Sequence, residues 1–422
     1  IDTIQPWGRP SQEAVRTFVN AGYEFSEAAE VYAFGNYSWS TSTSNFFYRY
    51  PGNGTIEDLR LADGSIYNPI ERFPGGFTPL FSGDVEDYSA LGGIRGDISS
   101  AFSYDLSLRY GRNEISYLLE NTINPSLGPD SPTQFRPGNL INDELQFQAD
   151  FIFAHDVGMA SDLALAFGGT YFEEGYEIVE GELASYQAGP FGSPDPFDFC
   201  NADGTPTLAG LALQPSAGLN CADPGDPVYQ AVGVGSNGFP GYSPNFSGTY
   251  NRDSYSFYSN ISADVTDSLF LEGALRFENY SDFDSQLIYK VAGRFEIVDG
   301  LGIRASHGTG FRAPTPGQQG TTNVSTRLPN GFPVATGLFP ASSAIAAALG
   351  AVPLEPETST NWTAGLNGAL GNFKFSIDYY RIELEDRLQA RSTITVVDDC
   401  IPATPEIDSE CVGFRGRLID AG

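Results

Sequence analysis

Short and long connections alternate along this chain, and that alternation restricts its fold more than any single motif does. Segments with a two-residue hydrophobic period pair up across short turns near 26–29, 99–103, 156–162, 265–268, 299–300 and 368–371. Long polar stretches rich in Gly and Pro run between the pairs, the largest near 43–86, 175–251 and 313–356. Only one connection on the long side, 281–285, is short. One end of the molecule is therefore trimmed and the other elaborate. A soluble sandwich has no reason to keep its long loops together.

The strands read from their period. Leu145, Phe147, Ala149, Phe151 and Phe153 alternate with Gln146, Gln148 and Asp150. Tyr289, Val291, Gly293, Phe295 and Ile297 oppose Lys290, Ala292, Arg294 and Glu296. Phe373, Phe375, Ile377 and Tyr379 oppose Lys374, Ser376 and Asp378. A β-strand sends alternate side chains to opposite faces, so each segment has one apolar and one ionic face. The pattern predicts about twelve strands, at 13–24, 30–42, 87–98, 103–118, 143–155, 161–175, 252–264, 268–281, 285–298, 301–312, 357–369 and 372–388. A thirteenth begins near 412–419, and 341–349 has helical composition.

Runs of about 10–15 residues exceed the usual soluble strand. They suit tilted membrane strands of about 9–11 residues with extensions beyond the bilayer. A Lys or Arg facing lipid at mid-bilayer costs about 2–4 kcal/mol. Arg276, Lys290, Arg294, Arg304 and Lys374 are therefore expected to line a wet lumen. The expected fold is all-β, an antiparallel transmembrane β-barrel with short periplasmic turns and long extracellular loops. Strand 13–24 then descends to the periplasm. With no linker dividing it, 1–422 reads as one domain.

Composition agrees. No run of eighteen apolar residues exists, so a transmembrane helix is not expected. Tyr (22), Phe (31) and Gly (48) are abundant beside a single Met, which suits a lipid-facing wall with aromatic belts. A net charge of −31 without a basic patch argues against nucleic acid as a partner. Loop acids such as Asp198, Asp203, Asp223 and Asp226 read as solvated surface, or alternatively as divalent-cation ligands beside lipopolysaccharide. The four cysteines pair most economically as Cys200–Cys221 and Cys400–Cys411, two local loop disulfides formed in an oxidising compartment. Zinc is disfavoured, because no Cys-x-x-Cys exists and His155 and His307 lie far from the cysteines in sequence. No charged-then-apolar leader precedes Ile1, which is expected if such a leader was removed or not included.

Catalytic chemistry finds little support. The only two histidines leave a hydrolytic triad without an obvious base, and His307 reads as lumen or interfacial packing. Gly308-Thr309-Gly310 lacks the Lys-Ser/Thr of a phosphate loop. The Asp282/Asp284 pair needs no explanation beyond 53 acidic residues. Phe46, Phe47, Tyr48 and Tyr50 form either the outer aromatic girdle or a stacking surface for a sugar or aromatic ligand.

The most specific local signal is Thr309-Gly310-Phe311-Arg312-Ala313-Pro314, a strand end broken by Pro. After a long loop follow Leu354-Glu355-Pro356-Glu357 and then Tyr379-Tyr380-Arg381. In this order the three segments resemble the barrel of TonB-dependent outer-membrane receptors; 18–23, 31–37 and 46–51 are also similar to that group. The motifs are architectural. The resemblance implies a bacterial outer-membrane location and a partial wall of a barrel of about 22 strands. It implies a plug domain and closing strands that 1–422 does not carry. It further implies import of a scarce solute captured by the long loops, driven by TonB with ExbB and ExbD through the plug. No cofactor is implied, and the ligand class, small molecule or oligosaccharide, stays open. Two alternatives remain: a passive porin-like or structural barrel of about 12–14 strands, and a soluble secreted β-rich binding protein.

Overall fold

The computed structural model describes residues 10–327 and 334–390. Among them, twelve long strands follow one another as β1 (Ser11–Ser26), β2 (Ala29–Asn45), β3 (Leu80–Ser99), β4 (Phe102–Glu120), β5 (Asn139–His155), β6 (Leu163–Val179), β7 (Gly248–Thr266), β8 (Leu269–Tyr280), β9 (Gln286–Val298), β10 (Leu301–Arg312), β11 (Glu357–Leu370) and β12 (Phe373–Glu385). They form one antiparallel sheet in which neighbours in space are neighbours in sequence, from β1 at one edge to β12 at the other. All twelve expected strands are present, and a helix at Ala344–Ala348 lies inside the expected helical stretch. The expected thirteenth strand and the Cys400–Cys411 pair lie outside the described residues. No helix among the described residues is long and apolar enough to cross a membrane.

The tight turns join the strands as the period predicted. Gly300 and Gly371 turn two hairpins with φ of 77° and 62°, a region that costs a side-chain-bearing residue more. The largest difference in bounds is β3, expected from 87 and found from Leu80. Residues 80–86 keep pairing with both β2 and β4, so Asp84 and Glu86 stand on a strand rather than in a loop.

Register divides the sheet into two unlike faces. On the apolar face of β4 come Phe102, Tyr104, Leu106, Leu108 and Tyr110, and then Arg112 and Glu114. On β6 the same face carries Leu163, Leu165, Phe167, Gly169 and Tyr171, and then Glu173. β3 runs from Ile98 to Tyr88 before Glu86, and β7 from Ala263 to Tyr255 before Asp253. β12 runs from Phe373 to Tyr379 before Arg381. Each of these five strands thus holds an apolar span of about 9–11 residues or slightly less, closed by Tyr and then a charge, which is the width a tilted strand needs to cross hydrocarbon. Many side chains of this face, among them Leu275, Phe257, Leu287 and Ile377, are more than half exposed to the surroundings of the sheet. The alternation is looser at β1–β2, where the Phe18 and Phe34 rings lie tilted 6.4 Å apart on the polar face.

The packed core of the molecule is in its loops. Connections β2–β3, β4–β5 and β6–β7 emerge at the same end and fuse into a cap. Leu59, Tyr67, Phe191 and Val232 form one buried cluster. Phe199, Leu219, Cys221 and Val228 form a second, and Ile56, Phe77 and Ile123 a third. Burying a residue such as Phe or Leu contributes about 1.5–3 kcal/mol, enough to hold loops that have no ladder of their own. The approach is close: a Cβ on Gly241 would sit 1.9 Å from Ser185 Oγ.

Candidate functional site

The candidate site is the polar face of the sheet together with the cap at its mouth. Register places Arg276, Lys290, Arg294, Arg304 and Lys374 on the same, polar face. Four of these cations meet carboxylates of their own wall. Arg304 Nη2 donates to both oxygens of Asp378 at 2.7 Å, and Lys290 lies 3.2 Å from Glu272. Arg294 lies 3.3 Å from Asp264 and over the ring of Phe270, and Arg276 pairs with Glu278. Lys374 stands opposite Ala369 on the same face. Most charge on these strands is thus compensated locally, and exposed pairs of this kind contribute little to stability.

The mouth is lined by aromatics. Phe81 stacks on Tyr117 at 5.1 Å, and Phe239 from the β6–β7 loop packs on both. Tyr242 joins them edge-on, and burial beside Tyr117 and Tyr176 pushes its phenol well above the usual range. Of the four loop aromatics expected to act together, Phe46 packs on Phe81, and Tyr48 donates to the Gly75 carbonyl. Phe47 and Tyr50 stay 62% and 54% exposed at the cap surface. Phe47 and Tyr50 are thus the more exposed pair, with the Tyr50 ring 6.4 Å from that of Tyr48.

One cation is buried in the wall. Arg252 on β7 is only 4% exposed, pairs with Glu174 of β6, and lies 3.7 Å from Asp282 in the β8–β9 turn. Its guanidinium sits over Tyr280 at 5.0 Å and donates to the carbonyl of Pro314. The base of the β10–β11 loop is thereby tied to the inner rim. Thr315 closes a capping box with Gln318, and Thr321 bonds to the Tyr176 hydroxyl at 3.0 Å. The motif Thr309-Gly310-Phe311-Arg312-Ala313-Pro314 spans this exit: Phe311 meets Tyr280 edge-on, and Arg312 approaches Glu357 at 3.9 Å. Leu354, Glu355 and Pro356 lead into β11, whose Glu357 accepts the Leu388 N–H. On β12, Tyr379 and Arg381 share the apolar face while Tyr380 takes the polar one.

The cap is held by a second buried ion pair. Arg60 donates to both oxygens of Asp226 at 3.0 Å, with side chains 2% and 5% exposed. Burial pushes the Asp226 carboxyl up, but Arg60 and the N–H groups of Val228 and Asn220 overcome this and hold it below its ordinary range. Reading all the loop acids as solvated therefore fails for Asp226. Asp203 and Asp223 do remain in exposed turns, where they accept the N–H of Thr205 and Gly225. Cys200 and Cys221 form the expected disulfide, with Cα atoms 5.5 Å apart. Asn237 fastens the long loop to the others, meeting Arg49, Thr55 and Thr122. None of these long-range partners shows a sequence signal; Arg252 alone could have been found, from its polar-face parity near a strand end.

His307 lies on the apolar face at the level of the closing tyrosines. It stacks on Trp362 at 3.8 Å, and its Nε2 meets the Tyr289 hydroxyl at 2.9 Å. Its Nδ1 meets the Asn361 carbonyl at 3.2 Å, so both ring nitrogens serve packing.

The sequence matches the family described as TonB dependent receptor-like, beta-barrel over residues 25–410. Among solved structures, the ferric enterobactin receptor PfeA of Pseudomonas aeruginosa is similar at 12% identity and a TM-score of 0.51, over 91% of this chain and 44% of that one. The siderophore receptor PirA of Acinetobacter baumannii is similar at 14% identity and a TM-score of 0.50, over 90% and 44%. The RagAB peptide importer is similar at 13% identity and a TM-score of 0.50, over 88% and 40%. The chain thus spans less than half the length of these structures, and at such identities the likeness speaks for the fold alone.

Proposed function

The chain belongs to the TonB-dependent receptor-like β-barrel family, and from that premise we propose that it is the partial barrel wall of an outer-membrane receptor that captures a solute at its cap and imports it. The observation that carries this reading is the pairing of one apolar, Tyr-bounded face with a cap built wholly from loops at one end. The apolar face meets lipid, which directs the polar face and its cations, including Arg276 and Arg304, toward the lumen. Energy comes from TonB with ExbB and ExbD, acting through a plug that completes the receptor. Receptors of this kind move solutes without making or breaking covalent bonds, so the chain is no enzyme.

The ligand is a small molecule or oligosaccharide that meets Phe47 and Tyr50 at the cap surface. Similar structures include siderophore receptors and a peptide importer, and the assay panel spans these solute classes. The test is uptake of a labelled solute panel by cells with and without the whole receptor, with and without a protonophore. Saturable uptake that stops on de-energisation is expected, with affinity reduced about threefold or more by Phe47→Ala with Tyr50→Ala. Non-saturable flux that ignores the protonophore refutes energised import and favours the passive barrel.

A further inference from the structure

Among the described residues, the connections at the loop-bearing end are long except one. β8 and β9 are joined by 281–285 alone, between the long stretches 180–247 and 313–356. The rim of the wall is therefore low at this place, and a notch opens there from the side onto the polar face. The start of the β10–β11 loop fills it. Residues 313–322 turn sideways from β10 and run along the inner rim past β9 and β8 to β7 and β6. Four anchors fix that course. The Pro314 carbonyl accepts from Arg252 of β7, and Gln319 donates to Asp282 of the short turn. Gly320 lies against the ring of Tyr250, and Thr321 meets the Tyr176 hydroxyl of β6 at 3.0 Å. Tyr176, Tyr250 and Arg252 all have the parity of the polar face.

The strap has little slack. From β10 to β6 is four strand spacings, about 19 Å. Arg312 to Thr321 offers a few extended steps and one helical turn at Pro316–Gly320, which together reach roughly 20 Å. It is also well seated. Pro314, Pro316, Gly320 and Thr322 are buried, and Arg252 is held between Glu174 and Asp282. A Cβ on Gly320 would come within 2.3 Å of the Tyr250 ring, so any side chain there lifts the strap. The returning half of the same loop rests on it. Ser342 Oγ donates to the Gln319 carbonyl at 2.7 Å, and Phe339 meets Phe246 edge-on at the foot of the β6–β7 loop. The side of the mouth that the β8–β9 turn leaves open is thus closed by a loop that starts two strands away.

The geometry points to a size-setting gatepost at the lumen entrance. Residues 313–322 close the notch over the β8–β9 turn and fix the width through which a solute reaches the lumen, and Arg252 is the positioning residue that holds them there. Solutes too wide to pass between this strap and the cap are excluded, whatever chemistry binds the smaller ones. The inference rests on the polar face lining the lumen, and not on TonB coupling or on which solute is imported, so failure of the uptake experiment leaves it standing.

The test is cysteine labelling of the whole receptor in outer-membrane vesicles. Ile288→Cys stands on the polar face of β9, opposite Arg276 and just inside the notch. Its reaction is followed with a small charged maleimide and with a maleimide carrying a long polyethylene glycol. With the strap intact it should take the small reagent and exclude the large one. Leu275→Cys on the apolar face should take neither. Adding Arg252→Ala should raise the large-reagent rate about tenfold or more and leave the small-reagent rate unchanged. Gly320→Val, which loosens the strap without touching Arg252, should do the same. Arg252→Lys keeps a cation beside Glu174 and a donor toward Pro314, and should exclude the large reagent as the parent does. A large-to-small ratio unchanged in both Arg252→Ala and Gly320→Val overturns the proposal. So does equal entry of both reagents with the strap intact, or no entry of the small one. Reaction of Leu275→Cys without reaction of Ile288→Cys would instead reverse the two faces, and the proposed function would fall with the gatepost.

Discussion

Removing the Asp226 carboxylate should open the cap without disturbing the wall. The carboxylate accepts from Arg60 Nε and Nη2 at 3.0 Å each and from the N–H groups of Asn220 and Val228 at 2.8 and 2.9 Å. Asp226→Ala leaves the Arg60 charge at 2% exposure with only the carbonyls of Gly64 and Ala217 as acceptors. Breaking a buried pair from one side costs about 3–5 kcal/mol. The lost hydrogen bonds belong to the same network and are not added separately. At about 4 kcal/mol, local opening should rise about a thousandfold. Native-state hydrogen exchange read on peptides spanning 195–232 measures this directly. Peptides from β4 to β6 serve as the internal reference and should not change. A rise under about tenfold would mean that the pair is not what holds the loop. Acid should act in the same way. A depressed carboxyl contributes stability above its unfolded pKa of about 3.9, and that contribution is lost as pH falls through the lower folded value. The parent protein should therefore lose protection in 195–232 below about pH 4, and Asp226→Ala should show no such step.

Other outcomes follow from the same contacts. Reducing Cys200–Cys221, which spans 21 residues, should destabilise that segment by about 3 kcal/mol, and the effect should be larger in Asp226→Ala because both fasteners secure one loop. Arg252→Ala should cost about 3–5 kcal/mol and raise exchange at 314–321, with the cap peptides unchanged; equal loosening of the cap would contradict the separate roles given to Arg60 and Arg252. Leu275→Arg on the apolar face should lower folding stability in vesicles by about 2–4 kcal/mol, whereas Ala274→Arg on the polar face should be nearly neutral. If both cost the same, the two faces are assigned the wrong way round.

The wall was legible because its information is local. Alternation at 145–153 or 289–297 settles both the element and its two faces, and a hairpin partner is always the next segment in the chain. Parity alone placed Arg276, Lys290, Arg294, Arg304 and Lys374 together. The same parity sets His307 with Leu301, Ile303 and Ala305, a signal present in the sequence and blurred only by the surrounding glycines. The cap was not legible. Ile56, Leu59, Phe77, Val228 and Val232 are single apolar residues in Gly- and Pro-rich stretches and follow no period. Arg60 meets Asp226 across 166 positions and Arg49 meets Asn237 across 188, distances at which composition carries no pairing information. Only the disulfide, joining two nearby cysteines, could be anticipated there.

Strict neighbour pairing also orders the assembly of the molecule in time. Each hairpin can zip onto the previous one as soon as it is synthesised and delivered, since no strand waits for a distant partner. The cap cannot form that way, because its contacts join the β2–β3 loop to the β6–β7 loop and need β3 to β6 in place first. Cys200 and Cys221 are the exception, only 21 positions apart and able to join while the sheet is still incomplete. The β6–β7 loop would then cross the membrane already cyclised, as a ring rather than a thread. Insertion of this part of the wall would then pass a wider object than the other hairpins among the described residues present, and delaying oxidation until after insertion should relieve that step.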